Sequence, residues 1–141
     1  MSGVTGKYQH TVDPKGRLFV PSKLREELGE AFYVTLGLDH CLSAYTAEDW
    51  EAIQEKYRSL PLSQQSRMRF FFANAAKCEP DKQGRFLLPA DLRAYAGLEQ
   101  EVMFIGLGNH AEIWDADAYK KLEAETLTPE NLAAVMEELG F

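Results

Sequence analysis

The sequence predicts a β-rich α+β fold built from one unit used twice and flanked by helices. Three observations carry this. First, Asp13-Pro14-Lys15-Gly16-Arg17-Leu18-Phe19-Val20-Pro21 returns 68 positions later as Asp81-Lys82-Gln83-Gly84-Arg85-Phe86-Leu87-Leu88-Pro89. The register continues through Leu24/Leu92, Arg25/Arg93 and Gly29/Gly97, giving seven identities in 17 positions. Repetition over this length marks one folding unit present twice. Second, the residues around each copy alternate apolar and polar with the period of a strand. Third, a helical apolar stripe follows each strand pair.

Taken in order, Lys7 to Val12 is a half-buried strand with Tyr8, His10 and Val12 on one face. Pro14 presets φ and Gly16 accepts positive φ, so Asp13 to Arg17 reads as a type I turn closed by a glycine bulge. Asp13 is placed to accept turn amides and stiffen the loop. Arg17 to Val20 is expected to return as the hairpin partner, with Leu18 and Val20 inward and Arg17 outward. Pro21 opens a short helix whose inner face is Leu24 and Leu28 and whose cap is Gly29. Ala31 to Thr35 and Cys41 to Tyr45 are the next strands, joined by a turn at 37–40. Thr46 caps a helix with the stripe Trp50, Ile53, Tyr57 and Leu60, stopped by Pro61. Leu62 to Ala76 lacks Gly and Pro and is expected to be one helix. Its Phe70-Phe71-Phe72 run predicts burial on more than one face, or a subunit contact.

The second copy repeats this plan. Pro89 opens a short helix with Leu92 and Ala96 inward and Gly97 as cap. Val102 to Ile105 is apolar on both faces and so central, and 106–109 turns into Ala111 to Trp114. From the second strand the register shifts by one, pairing Tyr45 with Trp114 and Trp50 with Tyr119, which places a one-residue insertion in a loop. Asp115 caps the next helix. Thr128 and Pro129 begin a last helix with the stripe Leu132, Val135, Met136 and Leu139, suited to oligomer contacts or core cover. The expected organisation is repeat 1 over 7–49, linking helices over 50–77, repeat 2 over 78–121 and a C-terminal helical segment over 122–141.

The composition is that of a globular protein, 45% hydrophobic and 11% aromatic. No apolar run approaches the ~20 residues that span a bilayer, and Met1 to Lys7 has no signal-peptide core. A soluble cytoplasmic protein is expected. Cys41 and Cys78 read as small buried strand residues of a reducing compartment. Metal-ligand spacings, a nucleophile–base pair and a Gly-rich phosphate loop are all missing, and Gly106-x-Gly108 falls in a turn. Neither a catalytic residue nor a metal, cofactor or small-molecule substrate is expected. The net charge of −7 argues against nonspecific binding to polyanions. Its distribution is uneven, however: residues 7–25 carry +4, whereas residues 112–141 carry −6.

Two copies of strand, Asp-x-x-Gly-Arg loop, strand and Pro-initiated helix resemble the MraZ proteins. These belong to the AbrB-like (SpoVT/AbrB, swapped-hairpin) group of bacterial DNA-binding proteins. Asp13 to Arg17, Leu60-Pro61-Leu62, Glu79 to Arg85 and Glu112-Ile113-Trp114-Asp115 carry the resemblance, which runs from Lys7 to about Tyr119. Pro80 departs from the family pattern and removes a strand N–H before the second loop. The resemblance implies that the two repeats interleave within the chain as a swapped-hairpin β-barrel pseudo-dimer. It also implies a transcriptional regulator of the division and cell-wall gene cluster. Such a regulator is expected to bind direct DNA repeats upstream of its own operon as a ring-shaped homo-oligomer, acting as a repressor at the nucleoid. The expected DNA-binding residues are Lys15, Gly16, Arg17, Lys82, Gly84 and Arg85, with Asp13 and Asp81 orienting the loops. The alternative is an antitoxin-like protein-interaction module on the same fold.

Overall fold

The computed structural model describes residues 3–141. Met1 and Ser2, part of the polar N-terminal stretch, lie outside the described residues. The first repeat contributes β1 (Val4–Thr11), β2 (Arg17–Phe19), α1 (Ser22–Leu28), β3 (Phe32–Leu36), β4 (Leu42–Thr46) and α2 (Ala47–Arg58). The link holds α3 (Leu62–Gln65), a 3₁₀ turn (Ser66–Met68) and α4 (Arg69–Ala73). The second repeat contributes β5 (Ala76–Cys78), β6 (Arg85–Leu87), α5 (Ala90–Tyr95), β7 (Glu101–Gly108), β8 (Ala111–Asp115) and α6 (Ala116–Thr126). Last comes α7 (Pro129–Leu139).

Six of these strands form an antiparallel sheet in the order β1-β7-β8-β4-β3-β5, and β2 and β6 form a separate two-stranded ribbon. The order is a palindrome under exchange of the repeats, because β1, β3 and β4 stand to β5, β7 and β8 as equivalents. Each repeat lends its first strand to the other's sheet half: β1 pairs with β7, and β5 pairs with β3. The expected local hairpin is thereby corrected. The strand leaving the first loop makes a single β-bridge to the chain just after β1, Val12–Leu18, and otherwise pairs with β6. The closed barrel is also corrected, since the sheet stays open with β1 and β5 at its edges.

The strand chemistry explains the layers. In β7, Val102 and Phe104 enter the main core, while Met103 and Ile105 face the other way toward Trp114 and Tyr119. The main core draws on both repeats, with Leu18, Leu24, Phe32, Phe86, Leu92 and Phe104 all 3% exposed or less. Phe32 and Phe86, one from each repeat, meet edge to face at 5.1 Å, a favourable arrangement of ring quadrupoles. Lys7 on β1 pairs with Glu123 on α6 at 2.8 Å, adding a further tie between repeats. The one-residue shift is a net of two changes, because Phe32 answers to Val102: two residues are added in the loop after Gly97 and one is missing from the β7–β8 turn. The caps at Thr46, Asp115 and Thr128 each accept the amide three residues on.

Two helical expectations change. The segment 62–76 is broken into α3, a 3₁₀ turn and α4, because the chain must bend to lay Phe71 and Phe72 on Trp50 and Tyr57. Ser66 donates its hydroxyl back to the Ser63 carbonyl there, a side-chain bond that competes with the helix ladder. Phe71 and Phe72 are half-buried, but Phe70 is 70% exposed, so the run is not enclosed on all sides. Helix α7 covers no core, since none of its residues is buried. None of the described helices is long and apolar enough to cross a membrane.

Candidate nucleic-acid interface

Both repeated loops fold as the spacing predicts. The Gly16 amide donates to the Asp13 carbonyl at 2.9 Å and the Asp13 amide to the Arg17 carbonyl at 2.8 Å. Gly16 takes φ +80 and Gly84 φ +84, values open to glycine and costly for other L-residues. Asp13 Oδ1 accepts the Lys15 and Arg17 amides at 2.9 and 2.8 Å, and Oδ2 accepts Arg17 Nε at 2.8 Å. Asp81 repeats this with the Gln83 and Arg85 amides and with Arg85 Nε. The aspartates therefore stiffen the loops and also aim the arginines. These bonds hold both carboxyls below the usual aspartate range, the Arg17 and Arg85 amides being the largest cause.

The ribbon sets where the arginines stand. Register pairs Arg17 with Leu87, Leu18 with Phe86 and Phe19 with Arg85. Leu18 and Phe86 point into the core, so alternation puts Arg17, Phe19, Arg85 and Leu87 together on the outward face. Only Nε of each arginine is engaged among the described residues, which leaves the outer nitrogens of each fork to a ligand. Lys15 and Lys82 are exposed beside the loops, without an ion pair among the described residues.

Gly16 and Gly84 are buried, and what buries them comes from the opposite repeat. A Cβ on Gly84 would overlap the Arg25 guanidinium, and one on Gly16 would lie 3.0 Å from that of Arg93. Arg93 Nε is fixed on the Leu88 carbonyl at 3.2 Å. The Val20 amide donates to the Gly84 carbonyl and the Leu88 amide to that of Gly16. Each loop is thus seated on the other repeat's strand and helix. Sequence reading did not assign Arg25 and Arg93 to the site, although both belong to the seven identities that define the repeat. Phe19 and Leu87 also went unassigned, although each lies two positions after its outward arginine.

The two loops differ in their surroundings. A cleft beside the second is lined by Arg25 and Lys82 but also by Glu26, Glu30, Glu79 and Asp81. The first lies in the stretch with the positive balance. The two cysteines stand apart from this surface, and burial pushes both thiols up to about 12, so neither is a ready nucleophile. Among the described residues, no group of three or more His, Cys, Asp or Glu could hold a metal ion.

Two opposed Asp-anchored arginine loops on an exchanged two-stranded ribbon are the class of site that this fold defines. The family model described as "MraZ protein, putative antitoxin-like" matches residues 4–70 and again 71–139. The chain is 50% identical over 140 residues to "Transcriptional regulator MraZ" of Caldicellulosiruptor bescii, covering 96% of this chain and 98% of that one. It is 48% identical over 140 residues to the protein of the same name from Acetivibrio thermocellus, with the same coverage. The Heliobacterium modesticaldum protein of that name is 51% identical over 119 residues, 82% of this chain and 83% of its own. The chain belongs to the MraZ family.

Proposed function

We propose that this chain is a sequence-specific DNA-binding transcriptional regulator, without enzymatic activity. It binds direct DNA repeats upstream of its own operon in the division and cell-wall gene cluster and represses it. The observation that carries this reading is the outward ribbon face, where two arginines are aimed by loop aspartates from symmetry-related positions. A two-stranded ribbon fits the major groove, and an arginine fork matches guanine O6 and N7, a contact worth about 1–3 kcal/mol of discrimination. The relatives' shared name agrees with it. Arg17 and Arg85 read base edges, and Lys15 and Lys82 pair with phosphates, which position the ribbon without reading sequence. Gly16 and Gly84 act through the loop shape they permit, and Asp13 and Asp81 act through the arginines.

One acidic unit of this size binds weakly alone. Assembly into a ring multiplies identical loops against tandem sites, and linked contacts raise avidity by about 10²–10⁴. Head-to-tail subunits favour direct repeats. The setting is cytoplasmic, at the nucleoid, with residues 7–49 and 78–121 as the working repeats. Footprinting on the chain's own upstream DNA tests the reading. The unaltered chain protects a repeated sequence there, and Arg17→Ala removes that protection while keeping its thermal melt and assembly mass. Protection unchanged in Arg17→Ala would take Arg17 out of the mechanism. Affinity also falls steeply with salt, as released counterions require.

An antitoxin-like role is the second reading, favoured by the exposed apolar stripe of α7 and by the wording of the family description. A chain lacking 128–141 separates the two. The deleted chain loses avidity for the tandem repeats along with its assembly but keeps weak, Arg17-dependent binding to a single repeat, whereas a protein partner held by α7 is lost altogether.

A further inference from the structure

Between its two arginines the outward face of the ribbon is apolar. Phe19 lies across from Arg85 and Leu87 across from Arg17. Phe19 is 40% exposed and Leu87 64%, while their sequence neighbours Leu18, Val20, Phe86 and Leu88 are buried. The two residues occupy equivalent positions of the repeat, 68 apart. Neither side chain contributes to the core; Arg17 and Arg85, each paired with its loop aspartate, share their face, and Lys15 and Lys82 stand in the adjoining loops.

Apolar groups set among cations match a polyanion that itself carries apolar groups. In the major groove of duplex DNA that group is the C5-methyl of thymine. We propose that Phe19 and Leu87 are specificity-determining residues that contact thymine methyl groups beside the guanines held by Arg17 and Arg85. Residues two apart on a strand are separated by about 7 Å, which is about two base-pair steps along the duplex. The thymines therefore lie within about two steps of each guanine. This inference rests on the nucleic-acid reading above.

Deoxyuracil differs from thymine at this edge only by the missing methyl, so it tests the contact without altering the protein. The full chain is titrated onto a duplex of its own upstream DNA, then onto versions with each protected thymine replaced singly by deoxyuracil. Replacement beside an arginine-protected guanine weakens binding about fourfold, the effect of withdrawing one methyl from an apolar contact. Phe19→Ala or Leu87→Ala then binds thymine and uracil duplexes equally at its own positions, with its salt dependence unchanged. If the unaltered chain binds its upstream DNA specifically but is indifferent to every replacement, this inference alone is overturned. Alanine variants that keep the thymine preference and change only the assembly mass also overturn it, by making the face a subunit contact. Failure of the unaltered chain to bind upstream DNA would remove the nucleic-acid reading, and this inference with it.

Discussion

Asp13 does two jobs with one carboxylate, and they can be separated. Asp13→Asn keeps an oxygen for the amides but turns a donor or a neutral oxygen toward Arg17 Nε. The charge of the surface rises, yet binding to the repeated DNA falls by at least about tenfold, the scale of one lost charge-assisted hydrogen bond. Binding to unrelated DNA holds or rises. Gel-shift titrations on both duplexes check this, and a parallel gain on both would show that Asp13 only repels phosphate. The same bonds fix a pH response. Because the folded Asp13 and Asp81 carboxyls titrate below the ordinary range, their stabilisation is complete above the unfolded aspartate value of about 3.9. It is lost only as pH falls through their lower folded values. The Lys15 and Gln83 amide resonances therefore stay in place through mild acid and shift below that value. Gly84→Ala costs about 1–2 kcal/mol from backbone φ alone and pushes the Arg25 guanidinium aside. A lowered chemical-denaturation midpoint and a changed Arg25 side-chain signal report the two effects. The turn was legible at this scale because Pro14, Gly16 and the aspartate have local reasons to be there. The grip of Arg25 and Arg93 on the glycines was not, since nothing local says which repeat an arginine will cover.

Among the elements, alternation found the strands but not all their partners. Short loops favour local hairpins, so Arg17 to Val20 was assigned to the strand before it. The structure instead pairs Leu18 with Phe86, because exchanging strands encloses the apolar faces of both repeats in one core. β5 has three residues and its equivalent β1 eight, chiefly because the positions answering to Val4–Lys7 end α4 and turn out of it; Pro80 bears only on the far end, standing where Val12 donates its amide to the Gln100 carbonyl. A proline lacks the N–H that would extend the edge ladder. The triple phenylalanine misled for another reason, since its hydrophobicity does not reveal that only Phe71 and Phe72 face Trp50. Helix α7 makes the clearest prediction at this scale. With α6 it forms an apolar groove of 340 Å³ lined in part by Leu122, Leu127, Leu132 and Val135. Its own residues are all at least part-exposed. Removing 128–141 leaves the thermal midpoint nearly unchanged but lowers the assembly mass seen in sedimentation. A large drop in the midpoint would instead make α7 part of the fold.

For the whole molecule, the exchange means that neither repeat can close its core alone. Chains of 1–70 and 71–141, each holding one family match, are expected to be unfolded by circular dichroism when separate and to regain native β structure on mixing. A folded half would show that β1–β7 and β2–β6 pairing is dispensable. For the same reason the intact chain unfolds in one transition. Phe86→Ala lowers its stability by about 3–5 kcal/mol and weakens both repeats together, because Phe86 packs on Phe32 of the first. The sequence by itself determined the repeat, its turn chemistry, the helix caps and the inward face of nearly every strand. All of these depend on contacts a few residues long. The family resemblance alone implied that the repeats interleave; only the tertiary structure decided which strands change partners, that the sheet stays open and that two arginines and two apolar side chains share one outward face. Those features depend on which distant strand satisfies a backbone ladder, and period-two alternation is the same whichever partner is chosen.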